Sequence, residues 1–232
     1  MLEHGIWRPL LGATGLGLCL ATLTFHAPAA ANGNSGPPIT VTARSTAPNL
    51  FGTVALPANL SRYADGWYRS RIDATRHPAM QRLIAPARGL SRDRQIAYVQ
   101  AAVNRQIRWR SDATEWGRHD YWASASQTLD RGVGDMEDRA IVKLQALKAL
   151  GFASRDLYLT MGRDKVGGQI VILIARLGSR HFVLDDTGGT PFTTDRRPEF
   201  EPMMTFGANA SWIHGRRHVV ANRGGTAVGA SK

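Results

Sequence analysis

The residues best placed to do chemistry stand together in the stretch Gly132-Val133-Gly134-Asp135-Met136-Glu137-Asp138-Arg139-Ala140-Ile141-Val142-Lys143. The glycines read as a tight turn, and the residues after them as the first turns of a helix. Asp135 is a good N-cap, because its carboxylate can accept a hydrogen bond from a helix N–H that has no intrahelical partner. Glu137 and Asp138 follow in the first turn, where the positive end of the macrodipole favours anions. A cysteine at position 136 would have a lowered pKa and act as a nucleophile. The residue there is Met136, and a thioether has no ionisable proton with which to imitate a thiolate.

Other polar groups have weaker patterns. His181 begins the strand that ends at Asp185, but Ser179 beside it belongs to a turn, so both read as exposed hairpin residues. His214 and His218 are spaced i, i+4, which suits a metal only on a helix. Gly215 and the β-rich Val219-Val220 argue for strand instead. Asp185-Asp186, next to Gly188-Gly189, reads as a strand-end turn pair.

Around these groups the pattern predicts helices first and strands second. Leu50-Phe51-Gly52 begins the folded part. Helices are predicted over Ser61–Ala74 and, with Pro78 in the first turn, to Ile84. Asp93–Ile107 is strongly periodic, with Ile96, Val99, Val103 and Ile107 at i, i+3, i+7 and i+11. Trp109, Asp112, Trp116, Asp120, Tyr121 and Trp122 fall in an irregular segment, followed by a short helix over Ala123–Leu129. The helix after Asp135 carries Ala140, Ile141, Leu144, Leu147 and Leu150 as one buried stripe and stops at Gly151. Strands are predicted at Leu157–Leu159, Gln169–Ala175 and His181–Asp185, the last two joined by a Gly178-Ser179 turn. A loop is predicted from Arg196 to Glu201 and one last strand within Met203–Trp212. The fold class is α+β, N-terminal helices packed on an antiparallel β-sheet.

The chain has 232 residues and a formal net charge of +11. A basic surface suits an anionic envelope surface or an acidic partner. The arginines are scattered and no nucleic-acid motif occurs, so nucleic acid is excluded as a partner. Residues 1–31 read as a signal peptide: Arg8 gives a weak positive start, Leu10–Phe25 is apolar but short for a span, and Ala29-Ala30-Ala31 offers a cleavage site, with Ala27-Pro28-Ala29 as the alternative. An uncleaved anchor is the competing reading. Cys19 lies inside that apolar run, so the mature chain would have no thiol or disulfide. Residues 32–49 read as a disordered linker, 50–220 as the folded domain and 221–232 as a disordered tail.

A helix that begins at position 136, followed by an antiparallel hairpin, resembles the arrangement of papain- and transglutaminase-type thiol enzymes. The chain is similar, more specifically, to the bacterial transglutaminase-like cysteine peptidases, the LapG-like family. The matching features are Leu50-Phe51-Gly52, Asn104-Arg105, Trp109, Asp112, Trp116, Asp120-Tyr121-Trp122-Ala123, Gly134-Asp135-Met136-Glu137-Asp138, Lys143 and Val183-Leu184-Asp185, reaching about Trp212. That family reads Gly-Asp-Cys-Glu-Asp at its nucleophile, a His at the start of the next long strand, and Leu-Asp-Asn after the hairpin. The resemblance therefore puts the triad at Met136, Gln169 and Asp185, with only Asp185 kept and Asp186 in place of the Asn. A Gln amide does not titrate near neutral pH and cannot be a general base. Cys and Met codons differ at all three bases, so a single-base error does not explain Met136.

These departures imply a chain without peptidase activity, a pseudoenzyme that binds a protein or peptide in the former groove. That groove is expected to be formed by Trp116, Tyr121, Trp122, Met136 and Gln169, although packing is the plainer reading of the aromatics. The alternative is an active peptidase or amidase with a rearranged site. A third reading is an envelope protein whose basic charge alone matters. The resemblance requires no cofactor but implies a calcium site at Asp135, Glu137 and Asp138, hard ligands that suit the ion. Helix capping is the other reading of those acids. The expected partners are a surface protein or an envelope receptor. The expected location is periplasmic or secreted, with no integral membrane segment after signal cleavage.

Overall fold

The computed structural model describes residues 47–164, 168–187, 189–196 and 199–216. The signal segment, nearly all of the linker, the tail and His218 lie outside the described residues.

Six α-helices are present among the described residues: α1 (Ala64–Ser70), α2 (Pro78–Ile84), α3 (Arg92–Gln106), α4 (Asp112–Trp116), α5 (Ala125–Arg131) and α6 (Met136–Ala149). The strands are β1 (Val54–Pro57), β2 (Arg108–Trp109), β3 (Val133–Gly134), β4 (Leu157–Arg163), β5 (Gln169–Leu177), β6 (Arg180–Leu184), β7 (Phe192–Thr193), β8 (Glu201–Phe206) and β9 (Ser211–Gly215). Seven of them form one sheet in the order β1-β9-β8-β4-β5-β6-β7, and every neighbouring pair is antiparallel. β2 and β3 form a separate short parallel pair that joins the end of α3 to the start of α6. The α+β class expected from the sequence is the one observed. Among the described residues, no helix is long and apolar enough to cross a membrane.

The sheet has two apolar faces. Val171, Leu173 and Ala175 alternate along β5 and pack with α2, α3 and α6. Ile172 and Ile174 point the other way, into a smaller core with Leu50, Tyr158, Phe200 and Trp212. A strand buried on both faces reads as a continuous apolar run, which is how β5 looks in the sequence.

α6 corrects one expectation. It is buried from Glu137 through Leu147 rather than along one stripe. Its three buried donors, Arg139, Lys143 and Gln145, are tolerated there because each finds an acceptor. Gln145 donates to the Ser70 carbonyl at 2.8 Å, Arg139 to the Ile107 carbonyl at 2.8 Å, and Lys143 to the Asp185 carbonyl. Most buried polar groups are bonded in this way.

Three further differences have local causes. The predicted last strand is a hairpin, β8 and β9, reversing over Gly207–Ala210. The irregular aromatic segment contains α4, closed by Gly117 in the left-handed region at φ 63°. β1 was not expected: four residues ending in Pro57 give no alternation to read, and proline is tolerated because β1 is an edge strand.

Candidate functional site

Met136 is the first residue of α6, directly after the N-cap. Asp135 accepts from the Asp138 N–H at 3.5 Å, as its type and position imply. Met136 is half-buried and packs against the main core. The turn before it needs its glycine. A Cβ on Gly134 would stand 2.7 Å from Cβ of Asp138, so only a residue without a side chain lets the α6 carboxylate fold back over the turn.

Gln169 opens β5 and is exposed. By strand alternation it lies on the face of Val171 and Leu173, the face that packs on α6. At the far end of both elements, Gly151 after α6 and Gly178 after β5 line one cavity. The two elements therefore end together, and their starting residues, Met136 and Gln169, lie at the same end of the helix–sheet layer.

Asp185 follows β6 and is 4% exposed. Its Oδ1 accepts from Gln100 Nε2 at 3.1 Å and Thr187 Oγ1 at 2.8 Å. Its main-chain carbonyl accepts from Asn104 Nδ2 at 3.0 Å and from Lys143 Nζ. Lys143, only 1% exposed, is pushed down to about 7 by burial, against the pull of Asp185 and Asp186. The carboxylate that would orient a histidine in a triad is thus engaged by an amide and a hydroxyl.

The aromatic residues separate into two groups. Trp122 is 3% exposed, with its ring 5.8 Å from Phe206 and 6.4 Å from Tyr63. It belongs to the core rather than to a groove wall, because its ring fills the space between α1 and the sheet. Trp116 and Tyr121 are half-buried, their rings 4.7 Å apart, with Arg131 over Trp116 at 4.2 Å and Arg69 over Tyr121 at 4.4 Å. Of the aromatic residues expected in the groove, these two stay partly exposed.

Those acids form a larger cluster than the sequence suggested. Ligand oxygens of Asp112, Asp135 and Asp138 lie within 4.8 Å of one another, as do those of Asp112, Asp120 and Glu137. Asp112 and Asp120 are the residues that sequence reasoning left out of the site, and Asp112 links the two sets. Asp135, Glu137 and Asp138 are all pushed upward, first by burial and then by neighbouring carboxylates, Asp138 to about 8. Burial also raises Asp112. Mutual repulsion of this kind is relieved by a proton or a cation.

Calcium fits these residues on two grounds. The donors are all carboxylate oxygens, the hard ligands the ion prefers. Oδ1 of Asp112 is buried without a hydrogen-bond partner among the described residues, and such an orphaned acceptor is costly unless something binds it. Capping explains Asp135 alone. Asp112 Oδ2 accepts from the Tyr121 N–H, and neither that bond nor capping reaches Asp112 Oδ1.

The histidines are used structurally. Thr53 Oγ1 donates to the Leu50 carbonyl at 2.7 Å, so it accepts from His214 Nδ1, also at 2.7 Å. His214 Nε2 then accepts from Thr205 Oγ1 at 2.8 Å. Burial pushes His214 down to about 4, which keeps it neutral and in that one tautomer. The segment is strand, so the helical spacing a metal pair with His218 would need is absent at His214. His181 lies four residues from Asp185, about 13 Å along a strand, and its register partner is Arg176.

Comparison with known proteins fits this geometry. No curated protein sequence matches the chain. Among solved structures, Legionella pneumophila LapG is 24% identical with a TM-score of 0.52, covering 68% of this chain and 90% of that one. The calcium-bound form of LapG is 23% identical with a TM-score of 0.53, covering 72% and 94%. These two establish a shared fold. The model of the bacterial transglutaminase-like cysteine proteinases, BTLCP, matches residues 74–190, a segment that contains Met136, Gln169, Asp185 and the whole carboxylate cluster. The chain belongs to the bacterial transglutaminase-like cysteine proteinase family.

Proposed function

We propose that this protein is a catalytically inactive member of its family, acting in the bacterial envelope by binding a protein or peptide at the former active site. The observation that carries the reading is Met136 at the first position of α6, immediately after the Asp135 cap. A thiol there would be activated by the helix terminus. A thioether offers only a soft apolar surface, suited to peptide contact. Gln169, at the same end of the layer, adds hydrogen-bonding capacity without a titratable nitrogen. Asp185, held by Gln100 and Thr187, fixes the loop after β6. The groove would be formed by Met136, Gln169, Trp116 and Tyr121. Location in the periplasm or outside the cell follows from the N-terminal signal read in the sequence.

Calcium belongs to the same reading. Asp112, Asp135 and Asp138, with Glu137 and Asp120, would hold the ion. Bound there, it supplies positive charge that offsets carboxylate repulsion. The acids themselves hold the chain around Tyr121: Asp138 accepts from the Ala123 N–H at 2.8 Å and Asp112 from the Tyr121 N–H. The solved LapG structures include a calcium-bound one, which supports the assignment.

The test is photo-crosslinking in cells from a benzoylphenylalanine placed at position 136, with the same probe at exposed Arg105 as control. A discrete adduct from position 136 alone is expected, together with no peptide cleavage by the purified full chain. Cleavage of peptides by the unaltered chain would overturn the assignment.

A further inference from the structure

Three cavities meet around the C-terminal end of α6. The first, about 460 Å³, is lined by Arg92, Arg155, Asp156 and Arg176 beside the post-helix turn. A second, about 310 Å³, shares Arg155 and Arg176 with it and is floored by Tyr158 and Trp212. A third, about 270 Å³, shares Ala208 and Asn209 with the second and adds Arg71 and Lys148. The shared walls make one groove, which curves round the β8–β9 turn. Its lining carries five cations and one carboxylate.

The cations differ in how far they are already committed. Arg176 holds Asp156 through Nε at 2.8 Å, and Arg92 caps α6 by donating to the Leu150 carbonyl at 2.7 Å. Arg71 and Arg155 are exposed and have no ion-pair partner among the described residues. The apolar slot over the Tyr158 and Trp212 rings, whose centroids are 6.3 Å apart, adjoins Arg155 and, past Ala208 and Asn209, the cavity of Arg71, which lies 6.0 Å over the Trp67 ring. Guanidinium forks bind carboxylates in paired hydrogen bonds. An aromatic slot along the same groove accepts an apolar side chain.

We propose that this groove binds an acidic peptide segment, with carboxylates at Arg155 and Arg71 and an apolar side chain on Tyr158 and Trp212. A concave, curved path suits an extended chain better than a lipid surface, which would need the cations on an open face. The site lies at the opposite end of α6 from Met136 and does not rest on the function proposed above.

The experiment is fluorescence anisotropy at low salt with the full chain. Its probe is a peptide alternating glutamate and leucine that carries a neutral dye, and the control is the matching lysine–leucine peptide. Arg71→Glu and Arg155→Glu change residues without ion-pair partners, so folding is expected to survive. Each should weaken binding about fivefold and the pair about twentyfold, the scale of exposed charge contacts at separate sites. The lysine peptide should not bind. No binding of the glutamate peptide overturns the proposal, as does binding that the double variant leaves unchanged. Phosphatidylglycerol vesicles that bind through these arginines while the peptide does not would assign the groove to a lipid surface instead. Peptide binding lost with Trp116→Ala but kept in the double variant would move it to the other groove.

Discussion

The two ends of α6 carry opposite charge and solve opposite problems. At the N-terminus, Asp112, Asp120, Asp135, Glu137 and Asp138 converge, and burial raises the carboxyls of α6 and its cap. At the C-terminus, Arg92 donates to the carbonyls of Leu150 and Gly151, just past the last helical residue, and stacks over Phe152 at 4.6 Å. Each sign suits the adjacent end of the macrodipole, but the cost differs. The C-terminal cations are spread along an open groove and each reaches water or a partner. The N-terminal acids are crowded and largely dry, more charge than a cap requires. The basic end is satisfied as it stands, whereas the acidic end crowds like charges that a proton or a cation would relieve.

The largest expected effect exploits that asymmetry. Calcium binding only the folded state, at a free concentration a thousandfold above its Kd, would stabilise the protein by about 4 kcal/mol, or about 10 °C in Tm for a domain of this size. Asp112→Asn should remove most of the rise and Arg155→Glu none of it, in thermal melts with calcium or chelator. The pH dependence has a definite sign. A carboxyl raised in the folded state contributes stability that is complete below its unfolded pKa and lost as pH rises through the folded one. In chelator, Tm should therefore fall between about pH 4 and the value near 8 reached by Asp138. Calcium should flatten or reverse that fall. A melt that stays level in chelator would mean that burial and neighbouring charge do not raise these carboxyls in the folded state.

A smaller effect is expected from the backbone at each end. Gly134→Ala puts a methyl 2.7 Å from Cβ of Asp138, and overpacking of this kind costs about 1–3 kcal/mol. It should weaken the calcium response as well. Gly151→Ala meets nothing nearer than 3.7 Å, but φ there is +84°. Only the left-handed conformation is penalised, at about 1 kcal/mol, with no change in calcium response. Denaturant titration of both variants separates a clash from a backbone penalty. Equal losses would remove the contrast between the two turns.

Much of this arrangement was legible in the sequence because it is local. The Asp135 cap, the helix from Met136 to Gly151 and the β5–β6 hairpin all announce themselves within a few residues. The family resemblance aligned Met136, Gln169 and Asp185 by order alone, and the fold puts Met136 and Gln169 at one end of the layer. What stayed hidden was assembled by topology. Asp112 reaches the acids of α6 from a different helix. The basic groove draws Arg71, Arg92, Lys148, Arg155 and Arg176 from four stretches of chain that look like scattered surface charge. Trp122 looked like its neighbours Trp116 and Tyr121, and only packing against Phe206 separates core from surface. The β8–β9 turn was missed because Gly207, Ala208, Asn209 and Ala210 interrupt the apolar pattern too briefly to split one strand into two.

On the function proposed above, Met136 and Gln169 occupy the places of a lost thiol and a lost base. Thiol alkylation of the Met136→Cys, Gln169→His double variant tests it most directly. The helix terminus should depress the new thiol's pKa, and a protonated histidine beside it should depress it further. Near neutral pH the folded double variant should react faster than free cysteine, with the Met136→Cys single variant between the two. Reactivity no faster than free cysteine in the folded double variant would contradict the account, because the two residues would then not face each other across the start of α6.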